Sequence, residues 1–514
     1  MSTTRTRGTR LWFAAAWVAV LTLAAWLRLA GLNEQGLQHW DEGAHTAGPL
    51  QIGPYERDTI VPFYAPPLFP GLVGLTFRLF GVSDTVAILT AGLFGWLSIA
   101  AVGLFAARLF GATAGLLTAF FVATAEYHIA YCRIALTDAP YLLCFVLALY
   151  LFHCAIARSR GVLFVLAGFV SGLALLLKYH GFLPFAMAGL YMLIAALATW
   201  WRQGGRAGIS ALGKVVRASF WAALGFAGPA IFLVFYIDTT VGLERYAENR
   251  SQWMPGVAGW AFKASALYMA RAFSEWLPPA LLALGALGVI AALRRPTKAI
   301  GYLACWLIPF ALAVPFYKNY PRLLLPLVPG IAILASLGTL AIARFFPGRA
   351  RQIATAAIIA ILVSAQGTWM ALDTLRVHPT GYREAGRFVT ERMRDGMTAL
   401  LLTQHTIFFY VRDARGLFLS HNEKAGKQCL REEAFDLLAV DLRLEHHPEF
   451  RAYLESPEGQ RLELLATIPN PLYEMTIVNS GGFALLDALR ANATSPKALA
   501  ASTIRIYAKR RAGG

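Results

Sequence analysis

LWFAAAWVAVLTLAAWLRL, residues 11–29, is an apolar run with one charge, Arg28, and shortly beyond it the chain reaches His39-Trp40-Asp41-Glu42, with two adjacent carboxylates. A helix needs about 20 apolar residues to cross roughly 30 Å of hydrocarbon, and the run is of that size. Acids at the edge of such a segment are costly and are retained where they take part in chemistry. The stretch reads as a membrane anchor opening into a reactive polar loop.

Working outward, the composition supports a bilayer. Of 514 residues 57% are hydrophobic and 15% charged, which an ordinary soluble domain does not show. Comparable runs recur at 86–107, 112–131, 139–157, 162–177, 182–201, 220–237, 276–293, 299–316, 323–343 and 353–372, so with 11–29 about eleven transmembrane helices are expected. The first run follows a basic start but lacks the small-residue cleavage site of a signal peptide, so it reads as a retained anchor. The five cysteines, Cys132, Cys144, Cys154, Cys305 and Cys429, form no disulfide framework, although a Cys132–Cys429 bridge is conceivable.

Charge sets the orientation. With the amino terminus cytoplasmic, the inner pieces 1–10, 108–111, 158–161, 202–219, 294–298 and 344–352 carry many Lys and Arg and no Asp or Glu. The net charge of +17 mostly records this inner rim, and no nucleic-acid partner is implied. The outer loop 32–85 is long enough for juxtamembrane helices. Within it 66–81 is apolar, but Pro66, Pro67 and Pro70 leave too little clean helix to span, so it is expected to lie at the interface.

Other outer turns also carry polar groups. Arg133 and Asp138 flank Ile134-Ala135-Leu136-Thr137, Lys178-Tyr179-His180-Gly181 makes a tight turn, and Lys318-Asn319-Tyr320-Pro321-Arg322 precedes the next helix. The loop 238–275 adds Arg245 and Arg250.

The ordered set His39-Trp40-Asp41-Glu42, Pro66-Pro67-Leu68, Arg133 to Asp138, Lys178-Tyr179 and Pro321-Arg322-Leu323-Leu324-Leu325-Pro326 resembles the integral-membrane glycosyltransferases of the GT-C fold, above all glycosyltransferase family 39 and the lipid A aminoarabinose transferases. The resemblance spans roughly residues 10 to 345. It implies a polyprenyl-phosphate-linked sugar as donor and transfer to a lipid, glycan or protein acceptor on the extracytoplasmic face, with inversion at the anomeric carbon. By the same resemblance Asp41, the acid of the first outer loop, is the general base.

Such a transfer needs an acceptor hydroxyl deprotonated and held in line, and a departing phosphate stabilised. Glu42 is expected to position the loop or acceptor, and Asp138 to orient the acceptor or the base, unless it simply pairs with Arg133. Lys178, Lys318, Arg322 and Arg133 are candidates for the donor phosphate, with snorkelling at the interface as the plainer reading. His39 and His45, with Asp41 one helical turn from His45, could instead hold a divalent metal, while no cofactor is required. A competing reading from another class is a polytopic transporter or lipid flippase. Transporters gather such groups at broken helices near the midplane, whereas here they gather at one boundary.

After Leu372 the composition changes. Residues 373–514 hold 17 of the 29 acidic residues against 19 basic ones, with no spanning run, and read as a soluble α/β domain outside the membrane. Thr380–Arg394 has the spacing of an amphipathic helix, and Ala399–Leu402, Leu417–Leu419, Leu437–Val440, Met475–Val478 and Ile504–Tyr507 read as strands. Asn492-Ala493-Thr494 matches a glycosylation sequon, a pattern frequent by chance. The Ala- and Arg-rich composition places the protein in a bacterial plasma (inner) membrane, with residues 1–372 as the transmembrane domain and the rest periplasmic.

Overall fold

The computed structural model describes residues 3–51, 66–240, 242–244, 246, 270, 273–274, 276–314, 321–375, 380–403, 405–412, 417–420, 430, 435–441, 448–470, 472–473, 498–499 and 503–510. Lys318, Arg245, Arg250, Cys429, Met475–Val478 and the sequon lie outside them.

All eleven apolar runs are helical. In chain order the helices are α1 (Thr3–Leu29), α2 (Leu32–Gln35), α3 (Trp40–Ala47), α4 (Leu68–Phe80), α5 (Asp84–Phe110), α6 (Ala112–Thr124), α7 (Glu126–Cys132), α8 (Asp138–Arg158), α9 (Gly161–Leu175), α10 (Leu183–Gln203) and α11 (Gly205–Thr240). Then follow α12 (Pro279–Arg294), α13 (Lys298–Ala313), α14 (Val328–Ala343) and α15 (Arg349–Met370). Among the described residues seven segments are long and apolar enough to cross a membrane: Leu11–Gln35, Asp84–Phe110, Asp138–Arg158, Leu183–Gln203, Gly205–Thr240, Arg322–Ala343 and Arg349–Met370. The chain is a multi-pass membrane protein. The other four runs, at α6, α9, α12 and α13, form shorter apolar helices packed into the same bundle. Helix α4, expected at the interface, is likewise short, 13 residues.

Three departures from the sequence reading have local causes. The run 112–131 breaks at Ala125, whose extended backbone separates α6 from α7. The break frees carbonyls of Val122 and Ala123, and the fully buried Arg28 of α1 donates to both, at 3.0 and 2.8 Å. The same guanidinium bonds His128 Nδ1 at 2.8 Å, and the ring's Nε2 meets Ser98 at 2.9 Å. A buried cation is thus satisfied by exposed peptide oxygens. Second, the segment 202–219, expected as a cytoplasmic loop, is mostly the first half of α11, after a turn at Gly204 (φ 87°). Third, residues 321–327, with Pro326 inside, form a 3-10 helix before α14 begins.

Small residues let the helices approach closely. A Cβ on Gly168 or Gly225 would sit 1.9 Å from a backbone oxygen of the facing helix, at Ala222 and Val165, which fixes α9 against α11. Gly288 plays the same part between α12 and α14, 1.9 Å from the oxygen of Leu334.

After α15 come α16 (Leu372–Leu375), α17 (Gly381–Arg392), α18 (Thr406–Tyr410) and α19 (Pro448–Glu455), with strands β1 (Thr398–Leu402), β2 (Leu417–Ser420), β3 (Leu437–Val440), β4 (Leu462–Pro469), β5 (Leu472–Tyr473), β6 (Ala498–Leu499) and β7 (Thr503–Lys509). The main sheet runs β2-β1-β3-β7-β4, parallel through β2, β1 and β3 and antiparallel at β7 and β4; β5 and β6 form a separate pair. Strand β4 was not expected. It is an edge strand with most positions open to solvent, so it lacks the apolar alternation that marks a half-buried strand.

This unit is joined to the segment between α1 and α5. Ala44 and Ala47 of α3 share one apolar core with Tyr382, Val389, Ile407 and Phe408. Beside it, Asp84 accepts from Arg383 Nη2 at 2.7 Å and from the Tyr410 hydroxyl at 2.8 Å, while that hydroxyl accepts from the Leu37 N–H at 2.7 Å.

Candidate active site

Helix α3 is built by its own first turn. His39 caps it, Nδ1 accepting from the Asp41 N–H at 3.0 Å, and the Glu42 carboxylate reaches back to the N–H groups of Gln38 and His39 at 2.6 and 2.7 Å. This capping box satisfies donors that a helix start leaves open. The other oxygen of Glu42 accepts the Ala135 N–H at 2.7 Å, so one fully buried carboxylate ties α3 to the turn 133–137 that leads into Asp138. With both oxygens engaged by three backbone donors, Glu42 is a splint between two loops.

That splint brings distant charges together. Arg322, at the start of the 3-10 turn, pairs with Asp41 Oδ2, and Lys178, from the turn after α9, bonds Asp138 Oδ1 at 2.5 Å. Asp41 and Asp138 are buried, Arg322 and Lys178 nearly so. The two pairs feel each other: Arg322 and Asp41 act on Lys178, and all four charges act on His45. Residues 41, 45, 138, 178 and 322 therefore form one electrostatic cluster.

Burial and charge compete within it. For Asp41, burial pushes the carboxyl up, but Arg322 foremost, with His39 and His45, outweighs it and holds the group well below the usual carboxylate range. Glu42 goes the other way. Burial lifts it to about 7 against the pull of the Ala135, Gln38 and His39 N–H groups. Burial lowers His45 to about 4, only partly opposed by Asp41, so its imidazole is neutral at physiological pH. Lys178 is lowered by burial, with Asp138 acting against the shift.

Arg133 is buried and donates from Nη1 to the Ala30 carbonyl at 2.8 Å, capping the end of α1, and Asp138 takes Lys178 as its partner instead of Arg133. The cap occupies Nη1 alone, while Nε and Nη2 are buried with no hydrogen-bond partner among the described residues. Among the described residues no three His, Cys, Asp or Glu side chains converge to hold an ion, and His39 Nδ1 serves the helix cap.

Other important groups escaped sequence reasoning. Arg28 carried a signal, a lone charge inside an apolar run. Asp84, which anchors the carboxyl-terminal unit, and Tyr141, one turn into α8, carried none.

A bundle with broken helices, a first long loop bearing paired acids, short helices beside the bundle and a carboxyl-terminal sheet unit is the architecture of the GT-C glycosyltransferase fold. Residues 64–222 match the model of the dolichyl-phosphate-mannose-protein mannosyltransferase family. Among solved structures the chain is similar to ArnT from Cupriavidus metallidurans bound to undecaprenyl phosphate, with a TM-score of 0.59 at 14% identity over 96% of this chain and 98% of that one. The same enzyme in the apo state gives a TM-score of 0.57 at 15% identity over 90% and 97%. The archaeal oligosaccharyltransferase AglB from Archaeoglobus fulgidus, in complex with an inhibitory peptide and a dolichol-phosphate, gives 0.56 at 12% identity over 98% and 89%. No curated protein matches the sequence.

Proposed function

We propose that this protein is a glycosyltransferase that moves a sugar from a polyprenyl-phosphate-linked donor to an acceptor hydroxyl or amide on the extracytoplasmic face of a bacterial plasma membrane, with inversion at the anomeric carbon. The observation that carries the reading is the Asp41–Arg322 pair, set beside Asp138–Lys178 in one buried cluster.

Asp41 is the general base and Arg322 and Lys178, with Lys318, hold the phosphate. Paired with Arg322, Asp41 is a poor base. An arriving lipid phosphate gives the guanidinium a competing partner suited to its bidentate fork. As Arg322 turns to the phosphate, burial raises the affinity of Asp41 for a proton, and the carboxylate becomes competent to take one from the acceptor. The acceptor oxygen then attacks the anomeric carbon, the bond to the phosphate oxygen breaks, and the departing phosphate's charge rests on Arg322 and Lys178. His45, neutral, leaves the cluster free of a further fixed cation. Among the described residues no three ligand side chains converge, and no step is assigned to a metal.

The test is reconstituted protein supplied with labelled undecaprenyl-phosphate sugars and candidate acceptors. Release of undecaprenyl phosphate that disappears in Asp41→Asn supports transfer. Movement of the intact labelled lipid between leaflets without bond cleavage would instead make the protein a flippase.

A further inference from the structure

Beside the Asp138–Lys178 pair lie two polar atoms with nothing to bond. Asp138 gives Oδ1 to Lys178, while its Oδ2 is buried without a hydrogen-bond partner among the described residues. Three residues on, and so on the same face of α8, the hydroxyl of Tyr141 is also buried and unpartnered there. Leaving such a group unsatisfied is costly. Two of them on one helix face, beside a candidate phosphate-binding lysine, mark a place that a ligand completes.

The hydroxyl cannot swing to another partner. A tyrosine oxygen lies on its ring axis, and this ring is wedged edge-on against His180 at 4.8 Å and against Phe145 at 5.6 Å, with Lys178 Nζ 5.7 Å from its centroid. The carboxylate is pinned through its other oxygen. The pair offers one acceptor and one hydroxyl that can donate, and an alcohol matches both at once by donating to Asp138 Oδ2 and accepting from the Tyr141 O–H. Because Lys178 shares the same carboxylate, the alcohol belongs to a group carried close to the phosphate.

We propose that Asp138 Oδ2 and the Tyr141 hydroxyl form a subsite for a hydroxyl of the donor sugar and so select which sugar-lipid is used. The assignment rests on the donor class proposed above. Tyr141 is a specificity residue in this role.

The test compares wild type with Tyr141→Phe in lipid nanodiscs, measuring binding of undecaprenyl phosphate alone and of undecaprenyl-phosphate-linked mannose, galactose, glucose and aminoarabinose. Expected is an unchanged affinity for the bare lipid phosphate and a loss of about tenfold or more for the preferred sugar-lipid, a factor equal to ~1.4 kcal/mol. Without added ligand, Tyr141→Phe should melt no lower than wild type, since it deletes a hydroxyl with no hydrogen-bond partner among the described residues. Equal affinity for the preferred sugar-lipid, equal weakening toward both lipids, or a lower melting temperature of the empty variant overturns the subsite. If wild type binds none of the sugar-lipids and releases no undecaprenyl phosphate, the proposed function falls and the subsite with it. If wild type binds one that Tyr141→Phe binds equally, the subsite alone falls.

Discussion

Arg322 donates from Nη1 to Oδ2 of Asp41, a residue 281 positions earlier in the chain. Local sequence cannot hold an ion pair across that distance. It is held because α3 is tied by Glu42 to the turn before α8, and because the 3-10 turn bearing Arg322 packs against α7, α8 and α13. Each partner alters the other: the cation lowers the proton affinity of Asp41, and the carboxylate occupies the cation until a stronger anion arrives.

Asp41→Asn removes the base while keeping the side chain's size. A positioned base contributes about 10²–10⁴ in rate, so sugar transfer should fall at least a hundredfold. Undecaprenyl phosphate should bind as well or better, because Arg322 loses its competitor. Turnover within tenfold of wild type would contradict the assignment.

Arg322→Ala leaves Asp41 under the influence of burial, which raises its pKa. The acid limb of the pH profile of kcat/KM should therefore move to higher pH, and KM for the lipid donor should rise. Arg322→Lys keeps the charge but loses the fork, so its effects should be smaller in both respects. An acid limb that stays in place would dissociate Arg322 from the base.

Glu42→Gln turns an amide NH2 or a single oxygen toward backbone donors that now share a carboxylate. At least one of the Gln38, His39 and Ala135 N–H groups is left unbonded, at roughly 1–3 kcal/mol. A lower melting temperature is expected together with slower transfer, since the turn leading to Asp138 loses its tether. Full activity would show that the tether is dispensable.

His45 gives a pH dependence of stability whose sign follows from its lowered pKa. The unfolded chain takes up a proton near pH 6.5, whereas the folded protein does so only near about 4. Its contribution is complete above pH 6.5 and is lost as pH falls toward 4, by roughly 1.4 kcal/mol for each pH unit of that window. Melting temperatures of wild type and His45→Gln, measured from pH 7.5 to 4.5, should converge toward acid. Parallel curves would exclude a buried neutral His45.

Gly43 meets the carboxyl-terminal unit backbone to backbone: a Cβ there would lie 2.3 Å from the His405 carbonyl carbon and 2.4 Å from the Thr406 nitrogen. Gly43→Ala should push α3 away from that contact, costing about 1–3 kcal/mol by overpacking and reducing transfer, since Asp41 and Glu42 ride on the same helix. Unimpaired transfer would show that the carboxyl-terminal unit does not set the position of α3.

The sequence by itself determined the apolar runs that become helices, the basic rim, the helix at 381–392, and strands at 398–402, 417–420, 437–440 and 503–509, because helix and strand periods and charge bias are written along the chain. It also located Asp41, Asp138, Lys178 and Arg322, since charged groups at the ends of apolar segments stand out against their surroundings. Which of them meet was decided only by tertiary structure. Asp138 found Lys178 and not the nearby Arg133, whose guanidinium was drawn to the carbonyls ending α1, and Arg28 was committed to peptide oxygens exposed by a break at Ala125 that no local pattern announces. Partner choice among buried charges follows from which backbone groups the folded bundle leaves open, and those exist only once the helices have packed.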